Sequence, residues 1–304
     1  MVPASRASAL AALLFGAVAL GFTPIFVRLT ETGPAAAGFW RLLLALPLLG
    51  LLTFRKGAPA GGPSWIMALA GVFFALDLAF WHYGIALTSV MNATVLCNLT
   101  PIAVTIAGWW LFRERPARAF VVGMVLGIAG AITVAMSRSA GPAIGANPPL
   151  GDLLSLLTTL WYAGYFLCVR AARDTRGAAV IMFWSSLVGT AALAAAMLAL
   201  GEDVFPEGLG GWGACLGLAL VHVAGQGAIA WALGRLPAAT ASVVVLIQPV
   251  VAAALGWMLF AEAVNGMQAA GAALALVGVA IAQWAGARNE NGRRSPQEPA
   301  PTIS

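Results

Sequence analysis

The sequence predicts an all-α integral membrane protein with ten transmembrane helices in two five-helix inverted-topology repeats. Three observations lead to this fold class. The 304 residues are 61% hydrophobic and only 9% charged, and the mean hydropathy is +0.91, whereas a soluble domain carries roughly 25% charged residues. The arginines divide unevenly between alternate connections of the chain. One segment of 38 residues also recurs 148 residues later.

Stretches of about 20 mostly apolar residues are long enough to cross a bilayer, and the chain contains ten of them. We expect the spans at 8–29, 34–53, 64–87, 91–112, 117–137, 150–170, 178–200, 211–233, 238–260 and 266–286. The connections between them are short, so no soluble domain is inserted.

The distribution of positive charge predicts the orientation. With a cytoplasmic N-terminus and alternating spans, 13 of the lysines and arginines fall on the cytoplasmic side. Only Arg28, Arg41 and Arg138 fall on the far side. This bias follows the positive-inside rule and places both termini in the cytoplasm. The net charge of +5 is therefore a topology signal, and no nucleic-acid partner is expected.

The recurring segment indicates a duplicated membrane unit. Residues 93–130 and 241–278 share 11 identities in 38 ungapped positions. The pairs that are hardest to obtain by chance are Pro101/Pro249, Trp109/Trp257, Phe112/Phe260 and Glu114/Glu262. Because each unit has an odd number of spans, the second copy enters the membrane in the opposite sense, as in many secondary transporters. We expect a first repeat at 8–137, a second at 150–286 and a disordered cytoplasmic tail at 287–304.

Together, these features resemble the drug/metabolite transporter superfamily, and in particular its EamA-type exporters. The resemblance rests on the loop Leu111-Phe112-Arg113-Glu114 before a glycine-rich helix and on its second copy, Leu259-Phe260-Ala261-Glu262. It covers roughly residues 8–286, and the aromatic content of the third and sixth spans is closest in character to bacterial aromatic amino-acid exporters. The resemblance implies a central cavity lined by both halves and closed alternately on each side.

The third span carries the first group of candidate substrate-binding residues. Asp77 is the one acid that we place well inside a span, where a charge is costly unless it faces a cavity or a partner. It is either a coupling-proton or substrate-amine site, or an acid that fixes one helix against another. Trp81 shares its helical face, and His82 and Tyr83 follow. His82 either lines the cavity or makes an interhelical contact, and the family resemblance favours the cavity.

Other candidates lie on the spans that the repeat pairs. Asn98 belongs to a polar stripe on the fourth span, and Gln248 lies beside the equivalent stripe of the ninth. Both stripes contain a proline, which frees a backbone carbonyl one turn earlier. Trp161 and Tyr162 lie too deep in the sixth span for the interfacial belt. Trp231 aligns with Tyr83 by the same offset of 148 residues.

These residues favour a neutral or zwitterionic substrate with an apolar or aromatic part. The expected cavity has aromatic faces, amides and hydroxyls, and no arginine is expected near a span centre, which argues against a strongly anionic substrate. The expected protein is an inner-membrane secondary transporter of bacteria that exports amino acids or related metabolites by alternating access. A multidrug or cationic-metabolite exporter is the alternative, and a lipid-modifying membrane enzyme is a weaker one.

No Walker-type sequence is present, and we expect no metal, no cofactor and no catalytic residue. The expected partners are a small-molecule substrate and the lipid bilayer. The glycines of the fifth and tenth spans indicate close helix packing. They leave a scaffold role or a homodimer interface open.

Overall fold

The computed structural model describes residues 6–54, 62–100, 102–103, 106, 118–137, 145–173, 175–233, 244 and 246–293. Its helices are α1 (Arg6–Gly21), α2 (Thr23–Leu29), α3 (Pro34–Phe54), α4 (Trp65–Leu87), α5 (Val90–Cys97), α6 (Arg118–Met136), α7 (Pro148–Arg173), α8 (Ala178–Leu200), α9 (Leu209–Leu220), α10 (Gln226–Leu233), α11 (Ile247–Phe260) and α12 (Gly266–Arg293). A π-helical turn, Val221–Gly225, joins α9 to α10. No strand occurs among these residues, so the all-helical class is confirmed.

Eight helices within the described ranges are long and apolar enough to cross a membrane, and α11 is a shorter apolar helix of 14 residues. The predicted fourth span, 91–112, is described mainly by α5, because most of its second half lies outside the described residues. The count of ten spans is therefore not confirmed. Pro101, Trp109, Phe112 and Glu114, which identified the first copy of the repeat, also lie outside those residues.

Three helix boundaries differ from the predicted ones. The first span is broken at Phe22, and the helix that begins at Thr23 carries Pro24, which cannot donate a backbone hydrogen bond, in its first turn. The eighth span contains the π-helical turn, which periodicity alone does not reveal. The last helix continues to Arg293, so residues 287–293 of the predicted tail are helical, and the remainder of that tail lies outside the described residues.

Helices α6 and α12 pack backbone to backbone. A Cβ atom added to Gly130 would lie 2.2 Å from the amide nitrogen of Ala275, and one added to Gly278 would lie 2.2 Å from that of Gly127. At the other end of α6, a Cβ on Gly123 would lie 2.5 Å from the nitrogen of Ala282. Contacts advance along α6 as they retreat along α12, so the two helices are antiparallel. The glycines thus act as the sequence predicted, because small residues let backbones approach.

The opposite face of α6 is apolar and exposed. Val121, Val125, Ile128 and Ile132 follow one another at intervals of four, three and four residues, and each is more than 40% exposed. This spacing forms one stripe along a helix. In a membrane protein, such a stripe faces the acyl chains, while the glycine face contacts α12.

The remaining contacts between the halves also relate equivalent helices of the two repeats. Helices α3 and α8, and helices α5 and α11, occupy the same place in each half and pack against each other. Helix α4 packs on α7, and its counterpart α10 packs on α1. Helix α5 also begins beside the end of α11, since the Val90 amide donates to Glu262. The two equivalent helices therefore run in opposite directions.

The connections at one end of the bundle meet each other. These are residues 29–34, 87–90, 200–209 and 260–266, and we name this region the Glu262 end. The Gly33 amide donates to the Asp203 carbonyl at 2.9 Å. The Gly208 amide donates to the Glu31 carboxylate at 3.1 Å. Both halves of the chain thus contribute to one closed surface at this end.

Gly130→Ala tests the close packing of α6 on α12. The added methyl group meets backbone rather than a flexible side chain, so the helices must separate, and overpacking of this kind typically costs about 1–3 kcal/mol. We expect a lower melting temperature of the purified protein in detergent, followed by tryptophan fluorescence.

Gly227→Ala is the matched control, because a Cβ there meets nothing within 4 Å. Alanine is also the better helix former by about 1 kcal/mol. An equal loss of stability in both variants would contradict the packing argument.

Candidate functional site

One basic and one acidic side chain lie in the interior of the bundle. Arg41 on α3 is 3% exposed, and Asp77 on α4 is 6% exposed. Each acts electrostatically on the other, and the hydroxyl of Tyr162 on α7 lies within the field of both. Arg41 lies on the buried face of α3 with Ala37, Leu42 and Ala45, so its side chain is directed away from lipid.

Arg41 and Asp77 do not form a direct ion pair. Within the described residues the only ion pair joins Arg28 and Glu262. The buried Nε and Nη1 atoms of Arg41 have no hydrogen-bond partner there. Buried donors are almost always paired in native proteins. Arg41 is therefore an exception to this rule among the described residues.

Arg41 corrects the expectation that no arginine lies near a span centre. The residue lies three positions, or about 4.5 Å, from the middle of the 21-residue helix α3. The charge count treated each arginine as belonging to one side of the membrane, and so placed Arg41 on the far side. A cavity with an interior guanidinium can bind a carboxylate, so the earlier argument against anionic groups no longer holds.

Trp161 lies beside the helix that carries Asp77. Its ring is stacked on Phe73 at 6.5 Å between centroids and meets Phe80 edge to face at 5.5 Å. The indole Nε1 is buried without a hydrogen-bond partner among the described residues. Trp161 is thus held by two rings of α4 and keeps a free donor.

A second aromatic group crosses the interior. Phe74 is stacked on Tyr165 at 4.8 Å and on His222 at 5.5 Å. Phe74 and His222 are separated by the same 148 residues as the repeat, so equivalent positions of the two halves meet. Both ring nitrogens of His222 are buried without a partner in the described structure. His222 lies in the π-helical turn, a distortion that is frequent at functional sites.

His82 lies closer to the Glu262 end, behind a cavity of about 390 Å³. Its Nδ1 is 3.0 Å from the Pro34 carbonyl, whereas its Nε2 is buried without a partner among the described residues. Arg28, Thr32 and Phe260 also line this cavity. His82 therefore makes an interhelical contact with one nitrogen and also lines this cavity, and its role toward substrate stays a prediction.

Trp81 and Tyr83 flank His82. The Trp81 ring lies 5.8 Å from the His82 ring, and its Nε1 is buried without a partner in the described part of the chain. The Tyr83 hydroxyl donates a short hydrogen bond to Glu202. Glu202 also accepts from the amides of Ala35 and Ala36 at the start of α3. The structure thus places Tyr83 in a contact between the halves, and its role toward substrate stays a prediction.

The candidates on the paired spans make local contacts or are only partly described. The Asn98 amide donates to the Thr94 carbonyl at 2.7 Å. The Thr100 hydroxyl donates to the Cys97 carbonyl at 2.7 Å. That carbonyl lies four residues before Pro101, so it is already hydrogen-bonded rather than free.

The second-half counterparts give less detail. Gln248 is half-buried near the start of α11, and its carbonyl lies beside Gly21 at the break between α1 and α2. Trp231 lies in α10, and its side chain is outside the described residues.

Glu262 is the centre of a buried network. The repeat pattern identified this residue as the counterpart of Glu114 but did not reveal its contacts. Its Oε1 lies 2.6 Å from Nη1 of Arg28, and both carboxylate oxygens accept from the Val90 amide at 3.0 Å. Arg28 also donates to the carbonyls of Ile85 and Thr88. Its guanidinium lies 5.0 Å from the centre of the Phe260 ring. Four segments are thereby joined by one arginine and one glutamate.

A strained residue directs Glu262 into this network. Ala261 ends α11 with φ of 53° and ψ of 32°, in the left-handed region that non-glycine residues seldom adopt. The reversal at Ala261 turns the chain back so that Glu262 is only 2% exposed. The strain is therefore offset by the ion pair and hydrogen bonds that the turn makes possible.

A second polar network lies beside it. Asp152 on α7 accepts from the Thr88 hydroxyl at 2.8 Å and from the Asn92 amide at 3.1 Å. The Asn92 carbonyl oxygen accepts from Gln268 of α12 at 2.5 Å. This chain of bonds joins α5, α7 and α12, so the Glu262 end is held by two adjacent networks.

Comparison with known proteins identifies the family. The model of the EamA-like transporter family matches residues 7–136 and 149–283. The chain belongs to the EamA-like transporter family. It is therefore a membrane transporter of small molecules and not an enzyme, and the resemblance found from the sequence is confirmed. The two matched segments also account for the repeat.

Individual relatives agree with this assignment. The pseudopaline exporter CntI of Pseudomonas aeruginosa is 25% identical over 243 residues, which cover 80% of this chain and 81% of that protein. An uncharacterized transporter of Archaeoglobus fulgidus is 26% identical over 273 residues, covering 90% of this chain and 95% of the relative. A solved crystal structure superimposes with a TM-score of 0.64 at 21% identity, covering 94% of this chain and 100% of the other. That likeness shows a shared fold.

Arg28→Gln and Glu262→Gln test the ion pair of this EamA-like transporter. Removing one partner leaves the other charge buried, which typically costs about 3–5 kcal/mol. We expect each single variant to lower the melting temperature clearly, and the double variant to lose less than the sum of the two. Strictly additive losses would show that the two side chains stabilise the protein independently.

Proposed function

We propose that this EamA-like transporter is a secondary exporter in the bacterial inner membrane that carries amino acids, aromatic or large neutral, or related small metabolites by alternating access. The observation that carries the proposal is the interior group of Arg41, Asp77 and Trp161. It combines one positive charge, one negative charge and aromatic surface in a region shielded from lipid. These are the chemical features of a large zwitterionic amino acid.

The direction of transport is proposed as outward. One relative is a pseudopaline exporter, and the sequence alone resembles exporters. The family and the absence of a Walker-type sequence favour a secondary mechanism in which a gradient drives transport.

The proposed topology is ten spans in two inverted repeats, at 8–137 and 150–286, with both termini in the cytoplasm. Helix α5 begins where its counterpart α11 ends, which supports the inversion. The arginine distribution supports the orientation. In this topology the Glu262 end faces outward, and the ion pair of Arg28 and Glu262 closes the outer side of the substrate pathway.

Opening to the outside would then require that the network at Glu262 separates. The segments that it joins come from both halves of the chain. Alternate closure at the two ends is the usual mode of inverted-repeat transporters. The cavity lined by Arg28, His82 and Phe260 adjoins this network, and in this proposal it is the outer part of the substrate pathway.

A cationic metabolite or drug is the second candidate substrate. The buried carboxylate of Asp77 favours it, because an acid inside a membrane protein can pair with an organic cation. The unpaired donors of Arg41 favour the zwitterion instead, because a cation alone would leave them unpaired.

Trp161→Ala tests the aromatic part of the proposed site. An aromatic pair contributes about 0.5–1.5 kcal/mol beyond area burial, so losing one partner weakens apparent affinity by roughly 2- to 13-fold. We expect purified protein in liposomes to transport phenylalanine and tryptophan, and the variant to lose more of that activity than of alanine transport.

Trp257→Ala is the matched control, because Trp257 is 63% exposed on the outer surface of α11. Equal losses for all amino acids would show that Trp161 has a gating or packing role. Transport of cations but of no amino acid by the unaltered protein would favour the second candidate.

Single cysteines test the orientation against a background without Cys97, Cys168 and Cys215. Ala263→Cys lies in the exposed connection beside Glu262, and Arg115→Cys lies beside Glu114 in the sequence. An impermeant thiol reagent added to intact cells should label the first and not the second. The reverse pattern would contradict the proposed orientation.

A further inference from the structure

Arg41 and Asp77 are both buried in the interior of this transporter without forming a direct ion pair. Arg41 and Asp77 act on each other electrostatically, yet they make no direct ion pair. A structural ion pair would be expected to close to hydrogen-bonding distance, because its geometry must offset the cost of removing both charges from water. The two buried side chains instead stay out of hydrogen-bonding contact with each other.

The unpaired atoms indicate which ligand groups would suit Arg41 and Asp77. A guanidinium presents its donors in a planar fork that matches a carboxylate in two parallel hydrogen bonds. The Nε and Nη1 atoms of Arg41 are both buried and lack partners among the described residues. A carboxylate on the other side, that of Asp77, is suited to an ammonium group.

The groups around the pair are consistent with a small ligand. His82 and His222 each lie within the electrostatic influence of Arg41, and Cys97 and Tyr162 lie within that of Asp77. Among the described residues, Asp77 is the only carboxylic acid that acts on Arg41, and it makes no ion pair with it. A carboxylate that pairs with the buried donors would therefore be that of a bound molecule.

We propose that Arg41 and Asp77 form a charge clamp for one zwitterion, in which Arg41 binds the carboxylate and Asp77 binds the ammonium group of the same substrate. The inference rests on the proposed function and narrows its substrate class to molecules that carry both charges close together, as α-amino acids do. The two residues determine specificity, because a ligand with only one of the charges leaves the opposite group of the clamp buried and unpaired.

The clamp predicts that changing Arg41 and changing Asp77 affect the affinity for different ligands, which a purely structural role does not predict. Three ligands with the same ring serve as probes: phenylalanine, phenethylamine, which lacks the carboxylate, and 3-phenylpropionate, which lacks the amino group. Apparent affinities follow from the rise in melting temperature of the purified full-length protein with ligand concentration. The unaltered protein should bind phenylalanine roughly 10- to 100-fold more tightly than either analogue.

Each variant should remove one preference and keep the other. With Asp77→Asn, 3-phenylpropionate should bind as well as phenylalanine, while phenethylamine stays weak. With Arg41→Gln, phenethylamine should bind as well as phenylalanine, while 3-phenylpropionate stays weak. The exposed residues Asp203 and Arg118 supply the matched controls Asp203→Asn and Arg118→Gln, which should keep both preferences.

The outcomes separate the clamp from the proposed function. If phenylalanine binds but the two analogues bind equally well to the unaltered protein, the clamp is wrong and the exporter proposal stands. If both variants weaken all three ligands alike, the pair is structural and the clamp is again wrong. If the unaltered protein binds and transports no amino acid, the proposed function fails together with the clamp.

Arg41→Lys covers the case in which Arg41→Gln does not fold. Lysine keeps the positive charge and loses the planar fork, so the preference for phenylalanine over phenethylamine should persist while phenylalanine binds more weakly. Unchanged affinity for phenylalanine would contradict a two-point contact between the carboxylate and Arg41.

Discussion

The cost of placing charge in hydrocarbon organises this molecule. A charged side chain near the centre of a bilayer is stable only when it faces protein or a cavity, and so few charges occur within these helices. Two pairs of charged residues are central to the structure. Arg41 and Asp77 are buried at the centre of the bundle, and Arg28 and Glu262 are joined at one end. Apolar residues such as the stripe on α6 cover the surface toward lipid. Arg28 and Glu262 thus form a direct ion pair at one end of the bundle, whereas Arg41 and Asp77 at its centre do not.

The two regions differ in how their charges are satisfied. Glu262 accepts from Arg28 and from the Val90 amide, and Arg28 in turn donates to backbone carbonyls. Every strong acceptor there has a partner, so the ion pair acts as a structural tie between segments. Arg41 has buried donors without partners in the described structure. The same residue type therefore has its hydrogen-bonding capacity used in one place and left with unpaired donors in the other.

Much of the fold could be predicted from the sequence, because hydrophobic length and glycine spacing are local properties. The limits of α3, α4, α6 and α8 fall within one or two residues of the predicted spans, and the glycines of α6 contact α12 as their pattern indicates. The break at Phe22 and the π-helical turn were missed, because hydrophobic length does not show where a helix is interrupted within a span. Pro24 was a signal for the first of them.

The site was harder to predict than the fold for a related reason. Asp77 and His82 were found because an acid or histidine inside an apolar run is conspicuous. Arg41 was missed because a rule about loops was applied to a residue inside a helix. Its signal was the lone interior acid, which implies a positive partner. Tyr83 was a reasonable candidate, but its hydrogen bond to Glu202 depends on a connection 119 residues away, which periodicity cannot show.

The backbone contact between α6 and α12 limits how this protein can move. Where the main chains touch, at Gly123, Gly130 and Gly278, no side chain lies between the two helices that could change rotamer, so sliding or rotating either helix brings backbone atoms into collision there. Side-chain contacts elsewhere can exchange partners at little cost, but this one cannot. Helices α6 and α12 are therefore expected to move as one rigid unit. Any rearrangement of the two halves must then come from movements of the other helices relative to this unit. The breaks at Phe22 and in the π-helical turn lie on those other helices, where the chain can bend.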